Sequence, residues 1–466
     1  MLNRYHRFFF VLFVLAVGGQ SVVKADDSLK QHQHEYPAAP ADAQRYAPTT
    51  VPDRVILTWT GDPATSQAVT WRTSVDVTKA WAEIAIASAN PAFEANAKKV
   101  DATSQLLKSN LNTAHYHTVE FTELQPETRY AYRVGDGRNF SEWFHFTTAS
   151  VKAKPFRFIY FGDAQNNIRS LWSRVVREAY RDAPRAAFLL HAGDLVNKAE
   201  SDAEWADWCS AGRWLNGMMP SIAVPGNHEQ AKQKKGSKKV SHHWRPQFAF
   251  PEHGPKGLEE TCYTLVYQDV RFVCLNSNER HKDQALWMDK VLSENTARWT
   301  ICSFHHPIYS TGKTRNNSVL RAMWKPVLDK HQVDLVLQGH DHTYGRTGLN
   351  TPIVEPDEAI KNVMEGVNLV DGQTGTVYVV SVSGPKMYPM QKHPFMKHQS
   401  ENTQLYQIIE VNGDELHYEA RTAIGEPHDA FTLKKREGKI NQMIEQVPRI
   451  PAADAQAKDM APANTP

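Results

Sequence analysis

The sequence predicts an N-terminal β-sandwich followed by an α/β domain built from βαβ units, with two packed mixed sheets flanked by helices. Three observations carry this. Between residues 51 and 150 short runs such as RVILTWTG, QAVTWRTS and TRYAYRVG alternate apolar and polar side chains with period two, the pattern of half-buried strands in a sandwich of roughly seven strands. From Lys154-Pro155 onward, apolar strand-like runs (FRFIYFG, AAFLLHAG, SIAVPG) alternate with helix-like segments such as SLWSRVVREAYRD, which is the signature of a largely parallel sheet. Finally, 466 residues at 41% hydrophobic content are enough for two or three separate cores.

Taken in order, residues 1–25 read as a cleavable export signal. Arg4, His6 and Arg7 precede the apolar run FFFVLFVLAVGG, and Val23-Lys24-Ala25 offers a small-residue cleavage site after Ala25. A run of about a dozen apolar residues is short for a spanning helix, which needs ~20. The expectation is a secreted or periplasmic protein without a membrane anchor once the signal is removed. Residues 26–50 read as a flexible leader, 51–150 as the sandwich, 154–433 as the α/β domain and 434–466 as a disordered tail. The signal holds three of the 53 basic residues and none of the 51 acidic ones. The mature chain is therefore nearly neutral, and no nucleic-acid partner is expected. The basic run from Lys232 to Lys239 reads as a solvated loop.

Smaller features are mostly structural in this reading. His115 and His117 are taken as surface or edge histidines of the sandwich. Trp205, Trp208, Trp214 and Tyr180 fall at helical spacings and read as packing. Cys262 and Cys274 lie equally far from Gln268; a hairpin turning there sets them opposite each other, as a disulfide or as two buried thiols.

Chemistry concentrates after the strands. Gly162-Asp163-Ala164-Gln165, Gly193-Asp194, Gly226-Asn227-His228-Glu229, His305-His306-Pro307 and Gly339-His340-Asp341-His342 each follow an apolar strand. In α/β sheets, the carboxyl ends of the strands form the ligand crevice. Asp163 and Asp194 are 31 residues apart and Asn227 lies 33 further on, each step about one βαβ unit. Carboxylate, amide and imidazole without thiolate suit Zn, Mn or Fe. One carboxylate can bridge two cations.

This ordered motif set resembles the calcineurin-like metallophosphoesterase superfamily. Combined with LQPETRYAYRVGDG and SEWFHFTT, which resemble a fibronectin type III domain, and with QALWMDKVL before the His305 strand, it looks like the purple acid phosphatase branch. The resemblance implies two divalent or mixed-valence metal ions (Fe, Mn or Zn). Asp163 and His342 would bind the first and Asn227, His305 and His340 the second, with Asp194 bridging them. A metal-held hydroxide would attack the phosphorus of a small-molecule phosphate monoester while His228 protonates the leaving oxygen.

Three departures from the branch stand out. Asn197 replaces the tyrosine expected three residues after the bridging Asp, so no ferric phenolate colour is expected; its side chain either binds weakly or caps the following helix. Gln165 stands where the branch has Gly and other superfamily members have a ligand His, and its carbonyl is expected to substitute. The loop Tyr309 to Asn317 offers Arg315 for phosphate in place of a histidine, with a solvated cation as the alternative. Tyr344 and Arg346 have the same standing. His306 is expected to pack beside Pro307. The rival readings are a phosphodiesterase for nucleotides or lipid head groups, and a cell-surface binding protein with a vestigial fold.

Overall fold

A computed structural model describes residues 40–233, 236–365 and 374–446. The expected signal at 1–25, the start of the leader and residues 447–466 lie outside the described residues.

The sandwich holds eight strands in two four-stranded antiparallel sheets, where the sequence suggested about seven. One sheet runs in the order Asp53–Thr58, Gln67–Thr73, Thr113–Phe121, Thr103–Lys108, the other Lys98–Asp101, Trp81–Ile86, Arg129–Gly135, Phe144–Thr147. Their inner faces meet through Leu57, Val69, Trp71, Tyr132 and Phe146. His117 is not at the surface. Its ring is buried beside Trp71, with Nδ1 2.7 Å from Ser104 Oγ and Nε2 2.7 Å from Thr73 Oγ1. Burial and the neighbouring His115 push it down to about 4, so it is a neutral core group.

The second domain stacks two seven-stranded mixed sheets. In the first, Ser221–Ala223, Leu189–His191 and Phe156–Phe161 run parallel, and Leu405–Asn412, Glu415–Thr422, Pro427–Arg436 and Lys439–Glu445 follow as an antiparallel meander. In the second, Val270–Cys274, Trp299–Ser303, Leu335–Gln338 and Val377–Val380 are parallel. Phe158, Leu189, Phe272, Ile301 and Leu337 belong to one core between the sheets. Helices His281–Ser293 and Ser318–Lys330 cover the outer face of the second sheet through Met288, Leu292, Trp324 and Val327. Among the described residues no helix is long and apolar enough to cross a membrane.

Several expectations change. The tail does not begin at 434, because Lys439–Glu445 completes the first sheet and Glu445 pairs with Arg346 at 2.7 Å. The leader is partly structured: Asp42–Arg45 is a short helix, and the Tyr46 hydroxyl donates to Asp207 at 2.8 Å. The hairpin at 262–276 turns at Gln268-Asp269, pairing Tyr267 with Val270 and hence Tyr263 with Cys274. This one-residue difference sends Cys262 and Cys274 to opposite faces of the sheet, in different cores. All four cysteines are unpaired and buried. Trp205 and Trp208 are core residues, whereas Trp214 is 45% exposed and meets Tyr180 edge-on.

The sandwich is locked onto the second domain by buried polar contacts. Arg54 donates from Nη1 and Nη2 to Asp202 at 2.7 and 2.9 Å, Tyr132 to the Gly217 carbonyl at 2.7 Å and Thr70 to the Gln247 carbonyl at 2.6 Å.

Candidate metal centre

Both sheets feed one crevice. Asp163 and Gln165 follow Phe156–Phe161, Asp194 follows Leu189–His191, and Asn227 and His228 follow Ser221–Ala223, all in the first sheet. His305 follows Trp299–Ser303, and His340 and His342 follow Leu335–Gln338, in the second. The chain turns sharply to aim these groups. Asp194, His340 and His342 have φ of 50°, 78° and 52°, a region that costs non-glycine residues energy and recurs at functional sites. Gly193 has φ of 88°, and a Cβ there would lie 2.7 Å from both Gly226 N and His305 Nδ1. Only glycine fits.

The polar atoms are crowded. His342 Nε2 lies 3.0 Å from Asp163 Oδ2 and 3.0 Å from Gln165 Nε2, which in turn is 2.8 Å from Asp194 Oδ2. His305 Nε2 lies 3.2 Å from Asp194 Oδ2, 3.1 Å from Asn227 Oδ1 and 3.1 Å from His340 Nδ1. Asp163, Asp194 and His342 form one group of ligand atoms within 4.8 Å of one another, and Asp194, His305 and His340 form a second. Asp194 belongs to both.

These residues fit two cations. The Nδ1 atoms of His305 and His342 donate to the carbonyls of Ala192 at 2.9 Å and Lys386 at 2.7 Å. In a neutral ring that leaves a lone pair on each Nε2, aimed at carboxylate oxygen. Such facing acceptors repel unless positive charge lies with them. Gln165 Oε1 is buried without a hydrogen-bond partner. Turning the terminal amide over exchanges it with Nε2 and presents an oxygen to both carboxylate groups.

The electrostatics agree. Burial opposes a charged His305, but Asp194 and Asp163 outweigh it and push the imidazolium up to about 10. Asp163 is held well below the usual carboxylate range, burial being outweighed by His342 and His305. His340 is pushed far down by burial and by His305 and His306, so it stays neutral and keeps the lone pair of one ring nitrogen. The crevice favours positive charge, and a divalent cation meets that demand.

His228 is 27% exposed, with Nδ1 donating to the Asn197 carbonyl at 2.6 Å and Nε2 4.0 Å from Asp194 Oδ2. Asn197 contributes through its main-chain carbonyl; its side chain makes no hydrogen bond among the described residues, and it does not cap the following helix, whose N-cap is Ser201. Arg315 reaches the rim, donating to the His340 carbonyl at 3.1 Å and lying over Tyr388. Tyr344 and Arg346 do not reach it: both are buried and bonded to Asp429, so they are structural. His306 packs against the His340 ring, with Nδ1 2.8 Å from Ser277 Oγ.

Two residues were quoted in the motifs without a role. Glu229 is fully buried and accepts from the amides of Asp194, Gly226 and Val196 at 2.8, 2.7 and 3.2 Å. It holds the strained Asp194 turn against the Asn227 turn. Burial and the nearby Asp194 push its carboxyl up to about 8 despite these donors. Asp341 accepts from Ser310 Oγ, Thr311 N and Gly312 N at 2.6, 2.7 and 3.0 Å, tying the Arg315 loop to the His340-His342 turn. The available signal was an acid set directly against candidate ligands, Glu229 two residues after Asn227 and Asp341 between His340 and His342.

A profile for the N-terminal domain of purple acid phosphatases matches residues 52–148, and one for calcineurin-like phosphoesterases matches residues 156–344. The chain belongs to the calcineurin-like metallophosphoesterase superfamily, in its purple acid phosphatase-like branch. An uncharacterized Mycobacterium tuberculosis protein is 26% identical to this purple acid phosphatase-like chain over 331 residues, 60% of each. Purple acid phosphatase 21 of Arabidopsis thaliana is 27% identical over 247 residues, 50% of this chain and 54% of that one. The match thus spans less than two thirds of either relative. Purple acid phosphatase PPD1 from yellow lupin (Lupinus luteus) shares the fold, with a TM-score of 0.67 at 18% identity over 83% of this chain and 75% of its own.

Proposed function

We propose that this chain hydrolyses phosphate monoesters with two metal ions held by Asp163, Gln165, Asp194, Asn227, His305, His340 and His342. The observation that carries the reading is the sharing of Asp194 between two three-residue ligand groups, one completed by Asp163 and His342 and the other by His305 and His340. When bound, such a pair of cations neutralises phosphoryl charge and supplies an activated water; this donor set suits Zn, Mn or Fe.

The chain's own residues do the rest. His228 Nε2 faces the crevice while the Asn197 carbonyl fixes the ring through Nδ1–H, so a proton on Nε2 is positioned for the leaving oxygen as the P–O ester bond breaks. Arg315, anchored to the GHDH turn, stands at the rim as the cation for a phosphate oxygen. The Arg4-to-Ala25 pattern supports export with removal of residues 1–25. N-terminal sequencing of the mature protein should begin at Asp26, and a start at Met1 would contradict export by cleavage.

The test is hydrolysis of a chromogenic phosphomonoester beside a matched diester by the full chain supplied with Mn, Zn or Fe. Monoester turnover at least about tenfold faster supports the reading. Preference for the diester overturns it.

A further inference from the structure

A cavity of about 530 Å³ opens beside the candidate metal centre, with Asn227 and His306 in its wall. Its other walls come from separate segments: Gln230 and Lys238 of a small hairpin, Ser277 to Glu279 after the Val270–Cys274 strand, and Asn316 to Ser318 leading into the Ser318–Lys330 helix. Because Asn227 Oδ1 lies 3.1 Å from His305 Nε2, a phosphate at the centre has its organic portion beside this space.

The lining is unusual for a small-molecule site, which is ordinarily mostly apolar. Five carboxamides line it, and Val319 and Leu320 are the aliphatic side chains among the described lining residues. Much of their hydrogen-bonding capacity is uncommitted. Gln230 is 8% exposed, and its Nε2 is buried with no partner. Asn316 spends Oδ1 on Arg321, which leaves its Nδ2. Asn278 spends Nδ2 on the Pro225 carbonyl and Asn317 spends Nδ2 on the Pro307 carbonyl, which leaves both Oδ1 atoms. The wall therefore offers two amide donors and two carbonyl acceptors at fixed places.

Hydroxyl groups use both at once, since each donates one hydrogen bond and accepts others. A nucleobase or aryl group asks for a broad aromatic face; the aromatic rings among the described lining residues are the imidazoles of His281 and His306, with no Phe, Tyr or Trp. A second phosphate asks for clustered cations. Here Lys238 shares the wall with Glu279.

We propose that this cavity is a leaving-group subsite for a polyhydroxylated alcohol, so that the favoured monoesters are sugar or polyol phosphates. The proposal rests on the phosphomonoesterase reading and adds the substrate class. Gln230 and Asn316 are its specificity-determining amides, because each lines the cavity and carries an N–H with no partner among the described residues, that of Gln230 buried in the wall, and neither is among the candidate ligands.

The experiment compares kcat/KM of the metal-loaded full chain for glucose 6-phosphate, phenyl phosphate and adenosine monophosphate, in the wild type and in Gln230→Leu and Asn316→Ala. The sugar phosphate should exceed the other two about tenfold. Each variant should lose about fivefold to tenfold on the sugar phosphate, mainly in KM, and leave phenyl phosphate within about twofold. A preference for phenyl phosphate or adenosine monophosphate, or equal losses on all three esters, would overturn the subsite while leaving phosphomonoesterase activity intact. No turnover of any ester would overturn the activity itself, and the subsite with it.

Discussion

Buried carboxylates occur in two places that look alike in a burial profile and differ in how their charge is met. At the junction between the sandwich and the second domain, Asp202 is paired with Arg54 at 2.7 and 2.9 Å, with Arg72 at 3.6 Å and His243 at 3.5 Å beyond. In the crevice, Asp163 and Asp194 face imidazole nitrogens and an amide, Asp194 on backbone with positive φ and both beside Gln165, whose oxygen is orphaned. The first carboxylate is complete within the protein. Under the proposed function the second pair is completed by bound cations, and that would separate a structural ion pair from a binding site.

Substitutions should keep the two places apart. The largest effect is expected for Asp194→Asn, which should lower monoester turnover by ~10⁴-fold with the melting temperature close to wild type; loss of folding in step with activity would erase the distinction. Next comes Arg54→Ala, which leaves Asp202 buried with only the more distant Arg72 and His243 beside it and should cost about 3 kcal/mol in denaturant unfolding with kcat unchanged. Glu229→Gln keeps the size of the brace behind Asp194 but replaces one of its two acceptor oxygens, which take the Asp194, Gly226 and Val196 amides, with an N–H donor. It should weaken metal affinity by about 10- to 100-fold in a metal titration, and wild-type affinity would remove Glu229 from the account.

A smaller effect tests the junction by pH. Burial disfavours the Asp202 carboxylate, but the neighbouring His243 and Arg54 outweigh it and hold Asp202 well below the usual carboxylate range. Its folded pKa is thus below the unfolded value of about 3.9. Stability from this group is full above the unfolded value and is lost as pH falls through the folded one. The difference in unfolding free energy between wild type and Asp202→Asn should therefore be constant near neutrality and shrink below about pH 4. The smallest effect concerns the cysteines. All four are buried and unpaired, so a reductant should leave the melting temperature unchanged, and a drop of several degrees would reveal a disulfide.

The same contrast explains what was legible in the sequence. The strand-end motifs are local, each a glycine-marked turn after an apolar run, so Asp163, Asp194, Asn227, His305, His340 and His342 were found together and the structure brings them together. What completes a residue from far along the chain was hidden. Arg346 depends on Asp429 and Glu445, contributed by strands far along the chain, Glu445 from within the segment read as a disordered tail. His117 owes its burial to Trp71 and to hydroxyls on two other strands, which period-two patterning does not reveal. The Cys262 register turned on one residue of hairpin geometry, with Gln268 at φ 53°. Asn197 was weighed by its side chain, whereas its carbonyl does the work, and a sequence carries little information about main-chain acceptors.

Metal content, measured by mass spectrometry on the full chain after reconstitution and removal of excess Mn, Zn or Fe, tests the central claim most directly. The account predicts two ions per chain in the wild type and a loss of stable two-metal occupancy in Asp194→Asn, the residue common to both ligand groups. Two retained ions in that variant, or monoester hydrolysis at full rate by wild-type protein stripped of metal, would contradict it.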